Sequence, residues 1–297
     1  MTPHSAAARL FPEFSTLDLP VNGTTIHAVR GGAGPPVLLL HGYPQTHAMW
    51  HRVAPRLAQR FTVVCSDLRG YGDSGKPDSD GSHEPSSKRT MAQDQLTLMR
   101  ALGFERFALV GHDRGARVAR RLALDHPDSV SRLAILDIVP TETIYGLLDQ
   151  ERATTVWRYF FLVQPPDLAE RLIGADAGFY LDWTLREWCG TPGALDDAAV
   201  TEYRRCFDAA TIHAGCEDYR AGATIDLSHD RADRKRIHCP VLVLWSSQGI
   251  GASYDVLAIW HQQAEVVQGR ALDRGHFLAE ERPAETASEL THFLEQP

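Results

Sequence analysis

Asp113 sits at the centre of the turn G-H-D-R-G, Gly111 to Gly115, where a serine would complete the G-x-S-x-G elbow that presents a nucleophile above a sheet. Leu109 and Val110 close an apolar run ahead of it, and "ARVARRLALDH" reads as a helix that stops before Pro127. A carboxylate so placed meets the free N–H groups and the positive end of the helix dipole, and both favour its ionised form. Capping that helix is the other use of an aspartate here, and for an isolated turn it is the commoner one.

Two distant residues turn the balance toward chemistry. His276 follows Gly275 in "GHFLAEERP", in a loop between the last apolar run, "AEVVQG", and the final helix. The loop after "CPVLVLWSS" offers no carboxylate before Asp255, whereas "LAILDIVP" places Asp137 at the carboxyl end of its strand, so Asp137 is preferred to Asp255 as the acid. Its plainer use would be a loop cap before Pro140. Asp113, Asp137 and His276 then run in the order nucleophile, acid, base. An aspartate nucleophile displaces a halide from saturated carbon or opens an epoxide, and forms an alkyl ester. Water deprotonated by His276, its ring oriented by Asp137, hydrolyses that ester through an oxyanion. The backbone N–H groups of Tyr43 in "LLLHGYPQ" and of Arg114 are the expected oxyanion donors, and His41 and His112 are expected to pack structurally. This scheme requires no cofactor and no metal.

Arg114 and Arg117 follow the nucleophile on the new helix. Two planar guanidinium forks suit one substrate carboxylate and offset its repulsion from Asp113. Arg120 and Arg121 come next, so a basic helix face paired with surface acids is the alternative. "GYGDSG", Gly70 to Gly75, matches a G-x-G-x-x-G dinucleotide pattern, but Lys76-Pro77 follows at once where a helix N-terminus would have to open. It reads as a loop beside the pocket.

The elements that must carry these groups are legible as runs. "STLDLPVNGTTIHAVRGG" alternates around Asn22-Gly23 and predicts an opening hairpin. "PPVLLLHG", "FTVVCSD", "RFALVGHD", "RLAILDIVP" and "CPVLVLWSS" are short continuous apolar runs, the pattern of strands buried on both faces. Helical stretches separate them, such as "SSKRTMAQDQLTLMRALG" with Met91, Leu96, Met99 and Leu102 on one face. The class is α/β, a mostly parallel, doubly wound sheet. Alternation fails between about 141 and 225, which reads as an inserted helical cap with a turn at Gly174 to Gly178; the core is residues 1–140 and 226–297. The cap holds three of the six Trp and five of the eight Tyr, which suits a lid over a ligand pocket as well as helices packed on a sheet.

Composition sets the outer bounds. At 297 residues, with 43% hydrophobic and 23% charged, the chain is neither disordered nor membrane-spanning in type. A net charge of -8 argues against nucleic-acid or anionic-membrane partners, so an anionic small molecule must be held by local cations. Five cysteines without a C-x-x-C pair suit a reducing compartment, and no signal-like apolar stretch opens the chain, which points to the cytoplasm.

Taken together, "HGYPQ" with Trp50, "DLRGYGDS", "GHDRGAR", "LDIVPT", "CEDYRAG" and "GHFLAEE" resemble the haloacetate (fluoroacetate) dehalogenases of the α/β-hydrolase superfamily over nearly the full chain. The resemblance implies the α/β-hydrolase fold, Asp113 as nucleophile, Asp137 and His276 as its partners, Arg114 and Arg117 on the carboxylate, Tyr219 on the leaving halide, and a possible homodimer. It fails at one place. Where members that cleave carbon–fluorine bonds carry a His-Trp pair, "WRYFFLVQP" has Arg158 and Tyr159, which can also donate to a halide. The expected reaction is hydrolytic dehalogenation of chloro- or bromoacetate-like acids, fluoride being the most demanding leaving group. The alternative is epoxide hydrolysis with Tyr159 and Tyr219 as proton donors. A non-catalytic ligand receptor is a third reading, disfavoured by the intact Asp113, Asp137 and His276.

Overall fold

The structure is a computed structural model and describes residues 10–296. The opening hairpin forms as expected, with β1 (Ser15–Val21) antiparallel to β2 (Thr24–Gly31) across Asn22 and Gly23. Both turn residues have positive φ, 43° and 76°, the requirement that makes Asn-Gly the favoured pair. The remaining strands are β3 (Pro36–Leu40), β4 (Thr62–Ser66), β5 (Phe107–His112), β6 (Val130–Leu136), β7 (Val241–Ser246) and β8 (Val267–Leu272). Their order in the sheet is β1-β2-β4-β3-β5-β6-β7-β8; β2 meets β4 antiparallel, and every pair from β4 to β8 is parallel.

Every residue of β4 and β5 is buried, because helices cover both faces of a parallel sheet and leave no polar side to alternate. One cover is α1 (Lys88–Ala101), whose Met91, Leu96 and Met99 are buried while Leu102 closes its C-terminus half-buried. The other that matters for the site is α2 (Arg114–Asp125), separated from the end of β5 by one residue.

Eight helices interrupt the alternation between β6 and β7: α3 (Thr141–Gly146), α4 (Gln150–Thr155), α5 (Trp157–Leu162), α6 (Leu168–Ala175), α7 (Ala177–Trp188), α8 (Asp197–Cys206), α9 (Ala209–Ala223) and α10 (Ile225–Asp233). The helical run therefore extends past the expected boundary at 225, to Asp233. Gly174 lies inside α6, and the break falls at Asp176, whose side chain caps α7 by accepting from the Phe179 N–H at 2.9 Å. "GYGDSG" is a loop, but it is not on the wall of the main cavity. Its Gly75 N–H donates to Thr25 O, and the Tyr71 hydroxyl donates to Asp218 of α9, so the segment buttresses the cap instead. No helix among the described residues is long and apolar enough to cross a membrane.

Candidate active site

β5 ends at His112 and α2 begins at Arg114, so Asp113 alone makes the turn, at φ 47° and ψ −115°. That conformation is costly for a residue with a side chain, and it persists because strand and helix fix both flanks. The turn also needs glycine on either side: a Cβ on Gly115 would stand 2.3 Å from His41 O, and one on Gly42 would stand 2.4 Å from the Asp113 Cβ. The Asp113 side chain does not cap α2. Its Oδ1 instead accepts from the Tyr43 backbone N–H at 3.0 Å, the donor expected for the oxyanion.

Asp137 occupies the corresponding place after β6 and also has positive φ, 53°. Its N–H donates to Leu244 O, and its Oδ1 accepts from Ser246 N–H at 2.7 Å, which leaves Oδ2 to His276 Nδ1 at 2.6 Å. Asp255, the rival acid, caps the helix that follows it by accepting from Ala258 N–H. His276 Nε2 lies 3.9 Å from Asp113 Oδ2 and has no hydrogen-bond partner. The structure thus brings Asp113, Asp137 and His276 together, with the free ring nitrogen of His276 facing Asp113.

Three groups hold the histidine loop: Glu281 and the Trp188 carbonyl, which sequence reasoning passed over, and His112, which it expected to pack structurally. Glu281 accepts from the N–H groups of both neighbours, Gly275 at 3.2 Å and Phe277 at 3.1 Å. The His276 N–H donates to Trp188 O at the end of α7, tying the loop to the cap. His112 Nε2 lies 2.9 Å from His276 O. Burial pushes His112 down to about 4, so it is neutral and Nε2–H donates. The sequence signal for Glu281 was its place in "GHFLAEE", five residues past the base; nothing in the sequence marked Trp188.

Electrostatics follow from this packing. Burial opposes ionisation of Asp113, but His276, His112, Arg114 and Arg117 outweigh it and hold the carboxyl below its ordinary range. Burial likewise opposes charging of His276, yet the hydrogen bond and charge of Asp137, with Asp113 and Glu281 behind them, raise it above 6.5. Tyr219 is driven well above 10 by burial and the charge of Asp113, so its hydroxyl stays protonated and can donate.

The arginines divide. Arg117 lines the cavity; it donates to Thr141 Oγ1 at 2.6 Å, to Val139 O at 3.2 Å and to the Tyr159 hydroxyl at 2.8 Å. Its Nε is buried without a partner, and no described carboxylate pairs with it. Arg114 departs from expectation. Its Nε and Nη2 grip the Asp218 carboxylate at 2.9 and 2.7 Å, its plane lies 4.2 Å from the Tyr219 ring centre, and it is not on the cavity wall. Lys88 and Tyr71 also donate to Asp218, so that residue is a buried, fully engaged acid that fixes Arg114 beneath the cap. "CEDYRAG" placed Asp218 beside Tyr219, but sequence alone gave no reason to pair it with Arg114.

Asp113, Asp137 and His276 form the floor of a cavity of about 360 Å³ whose roof comes from the cap. Tyr159 and Tyr219 stand edge to face with ring centres 5.2 Å apart, and Arg158 is enclosed by Trp157, Trp183 and Trp188.

Comparison with known proteins agrees with this architecture. The sequence profile of the alpha/beta hydrolase fold matches residues 35–283. A fluoroacetate dehalogenase from Burkholderia sp is 46% identical over 96% of this chain and 95% of its own. A soluble epoxide hydrolase from Corynebacterium sp. (strain C12) is 35% identical over 89% of this chain and 91% of its own. Among solved structures, an epoxide hydrolase named CorEH is 33% identical with a TM-score of 0.87, covering 95% of this chain and 99% of that one. An elbow between β5 and α2, a histidine on the loop after β8 and a run of helices inserted between β6 and β7, matched by that profile over most of the sequence, make this chain a member of the alpha/beta hydrolase fold family.

Proposed function

We propose that the protein is a hydrolytic dehalogenase of short 2-haloacids that works through an ester on Asp113. The observation that carries this reading is Arg117, a cation on the wall of the cavity that holds Asp113, with a buried, unpartnered Nε and, among the described residues, no carboxylate in ion-pair contact with it. A neutral substrate would leave that cation without an ion-pair partner of its own; a substrate carboxylate would supply one.

In the first step Asp113 Oδ2 attacks the halogen-bearing carbon, the carbon–oxygen bond forms and the carbon–halogen bond breaks. Oδ1, held by the Tyr43 N–H, stays behind as the future ester carbonyl. The phenols of Tyr219 and Tyr159 face the cavity, where they can donate to the departing halide. In the second step His276 takes a proton from water, which attacks the ester carbonyl carbon. The resulting oxyanion is held by Tyr43, and the 2-hydroxy acid leaves. Asp113, Asp137 and His276 supply this chemistry from the chain itself.

The paired Tyr159 and Tyr219 also suit an epoxide oxygen, which is the specific reason to keep epoxide hydrolysis as the second reading. Release of halide from bromoacetate, chloroacetate and fluoroacetate, measured beside diol formation from styrene oxide, decides between them. Turnover of the epoxide with no halide release would overturn the dehalogenase.

A further inference from the structure

Arg158 is buried to 4% exposure on the wall of the catalytic cavity, and its Nε and Nη2 have no acceptor. Its guanidinium carbon lies 4.8, 4.6 and 4.7 Å from the ring centres of Trp157, Trp183 and Trp188. Those indoles attract the cation and exclude water, but an indole face offers no lone pair to an N–H. A remaining donor reaches the Tyr180 hydroxyl. No described carboxylate forms an ion pair with Arg158; Glu187, which lies on the same wall, stands beside Arg186 instead, at 3.8 Å.

The pair left open is chemically specific. Nε and Nη2 make the one edge of a guanidinium that takes a carboxylate side-on, and the same edge of Arg114 does so with Asp218 in this chain. A halide can accept from both N–H groups only as one sphere set between them, with both hydrogen bonds bent, whereas two carboxylate oxygens meet them along parallel lines. The volume points the same way: about 360 Å³ lies within the range that encloses drug-sized ligands, far more than a two-carbon acid fills. Arg117 already offers a separate cation for a first carboxylate.

We propose that Arg158 reads a second carboxylate, so that the preferred substrates are 2-halo dicarboxylic acids of the 2-halosuccinate class. This rests on the dehalogenase reading and deepens it: Asp113 displaces the halide at the carbon next to one carboxylate, while the other seats on Arg158. The product is the corresponding 2-hydroxy dicarboxylate plus halide and a proton, with water supplying the hydroxyl oxygen. On this reading Arg158 would serve the distal carboxylate rather than the leaving halide that the sequence suggested.

The test compares bromide release from 2-bromosuccinate, from its derivative with the distal carboxylate as an amide, and from bromoacetate. In the wild-type chain kcat/KM for the dicarboxylate should exceed that for the amide at least tenfold, and Arg158→Gln should collapse that ratio toward one. Equal kcat/KM for diacid and amide in the wild type overturns the proposal without any variant. A fall of all three substrates by one factor in Arg158→Gln also overturns it, since that is the behaviour of a halide ligand. Calorimetric binding of succinate, which has no leaving group, separates this from the reaction itself. If no haloacid releases bromide but succinate binds at least tenfold more weakly to Arg158→Gln, dehalogenation fails and the second-carboxylate site stands; if succinate binds both chains equally, the site fails.

Discussion

Nε2 of His276 stands 3.9 Å from Oδ2 of Asp113, beyond hydrogen-bond reach, while the other ring nitrogen is fixed to Asp137 at 2.6 Å. On the proposed reaction, a direct bond between the two would tie up the lone pair that has to attack carbon, whereas this gap would leave Oδ2 to attack and Nε2 to act on water in the next step.

That separation predicts a split between the two steps. His276→Ala should still alkylate Asp113, releasing one equivalent of halide per chain, and then stall, with steady turnover reduced about 10²–10⁴-fold, the usual contribution of a general base. Intact-protein mass spectrometry should show an adduct of the acid's mass, localised to the peptide bearing Asp113. Stoichiometric halide release with no adduct would refute the ester.

The pH profile should differ between free and esterified enzyme. Asp113 is one of the charges that raise His276, and esterification removes that charge. The base must be neutral to take a proton, so hydrolysis should fail as pH falls through its pKa. The limb for single-turnover ester hydrolysis should therefore lie at lower pH than the titration of His276 in the free enzyme, read by NMR. Coincident limbs would mean that Asp113 does not govern the base.

Arg117 and Arg114 should respond oppositely. Arg117→Met should raise KM for haloacids about 10–100-fold, the worth of a charged hydrogen bond, with little change in unfolding free energy because its partners are neutral. Arg114→Met leaves the buried Asp218 with Lys88 and Tyr71 but without its bidentate partner, and should cost about 3–5 kcal/mol in urea unfolding. A large KM effect with unchanged stability in Arg114→Met would restore it to the carboxylate site.

How much of this was legible before the structure depended on how local each determinant was. The elbow at Asp113 could be read because a buried strand, two glycines and a helix are contiguous, and the Asn22-Gly23 hairpin because two positive-φ residues suffice for it. The choice of Asp137 over Asp255 was readable from where each falls along its strand or loop. The fate of Arg114 was not, since it is decided by Asp218, 104 positions away on a cap helix. Likewise the Trp188 carbonyl that anchors His276 is a backbone group, and backbone groups carry no sequence signature. Periodicity marked a helical run from about 141 to 225, and the structure carries helix on through α10 to Asp233.

Glu280, next to the residue that clamps the histidine loop, should make stability fall with rising pH. Burial pushes its carboxyl up to about 8, against hydrogen bonds from the Tyr203 hydroxyl at 2.9 Å and from Gln45, whereas in the unfolded chain it titrates near 4.5. Between those values the folded protein keeps a proton that the unfolded chain has released. The contribution is therefore fully present below 4.5 and is lost at up to about 1.4 kcal/mol per pH unit as pH rises, levelling off above 8. Glu280→Gln keeps an acceptor for Tyr203 and removes the titration, so its unfolding free energy should decline less steeply than that of the wild type over this window. Other groups titrate equally in both chains, so the difference between the two urea-unfolding series isolates Glu280. Parallel slopes would show that the carboxyl is already ionised in the folded protein, and that Gln45 and Tyr203 hold an anion rather than an acid.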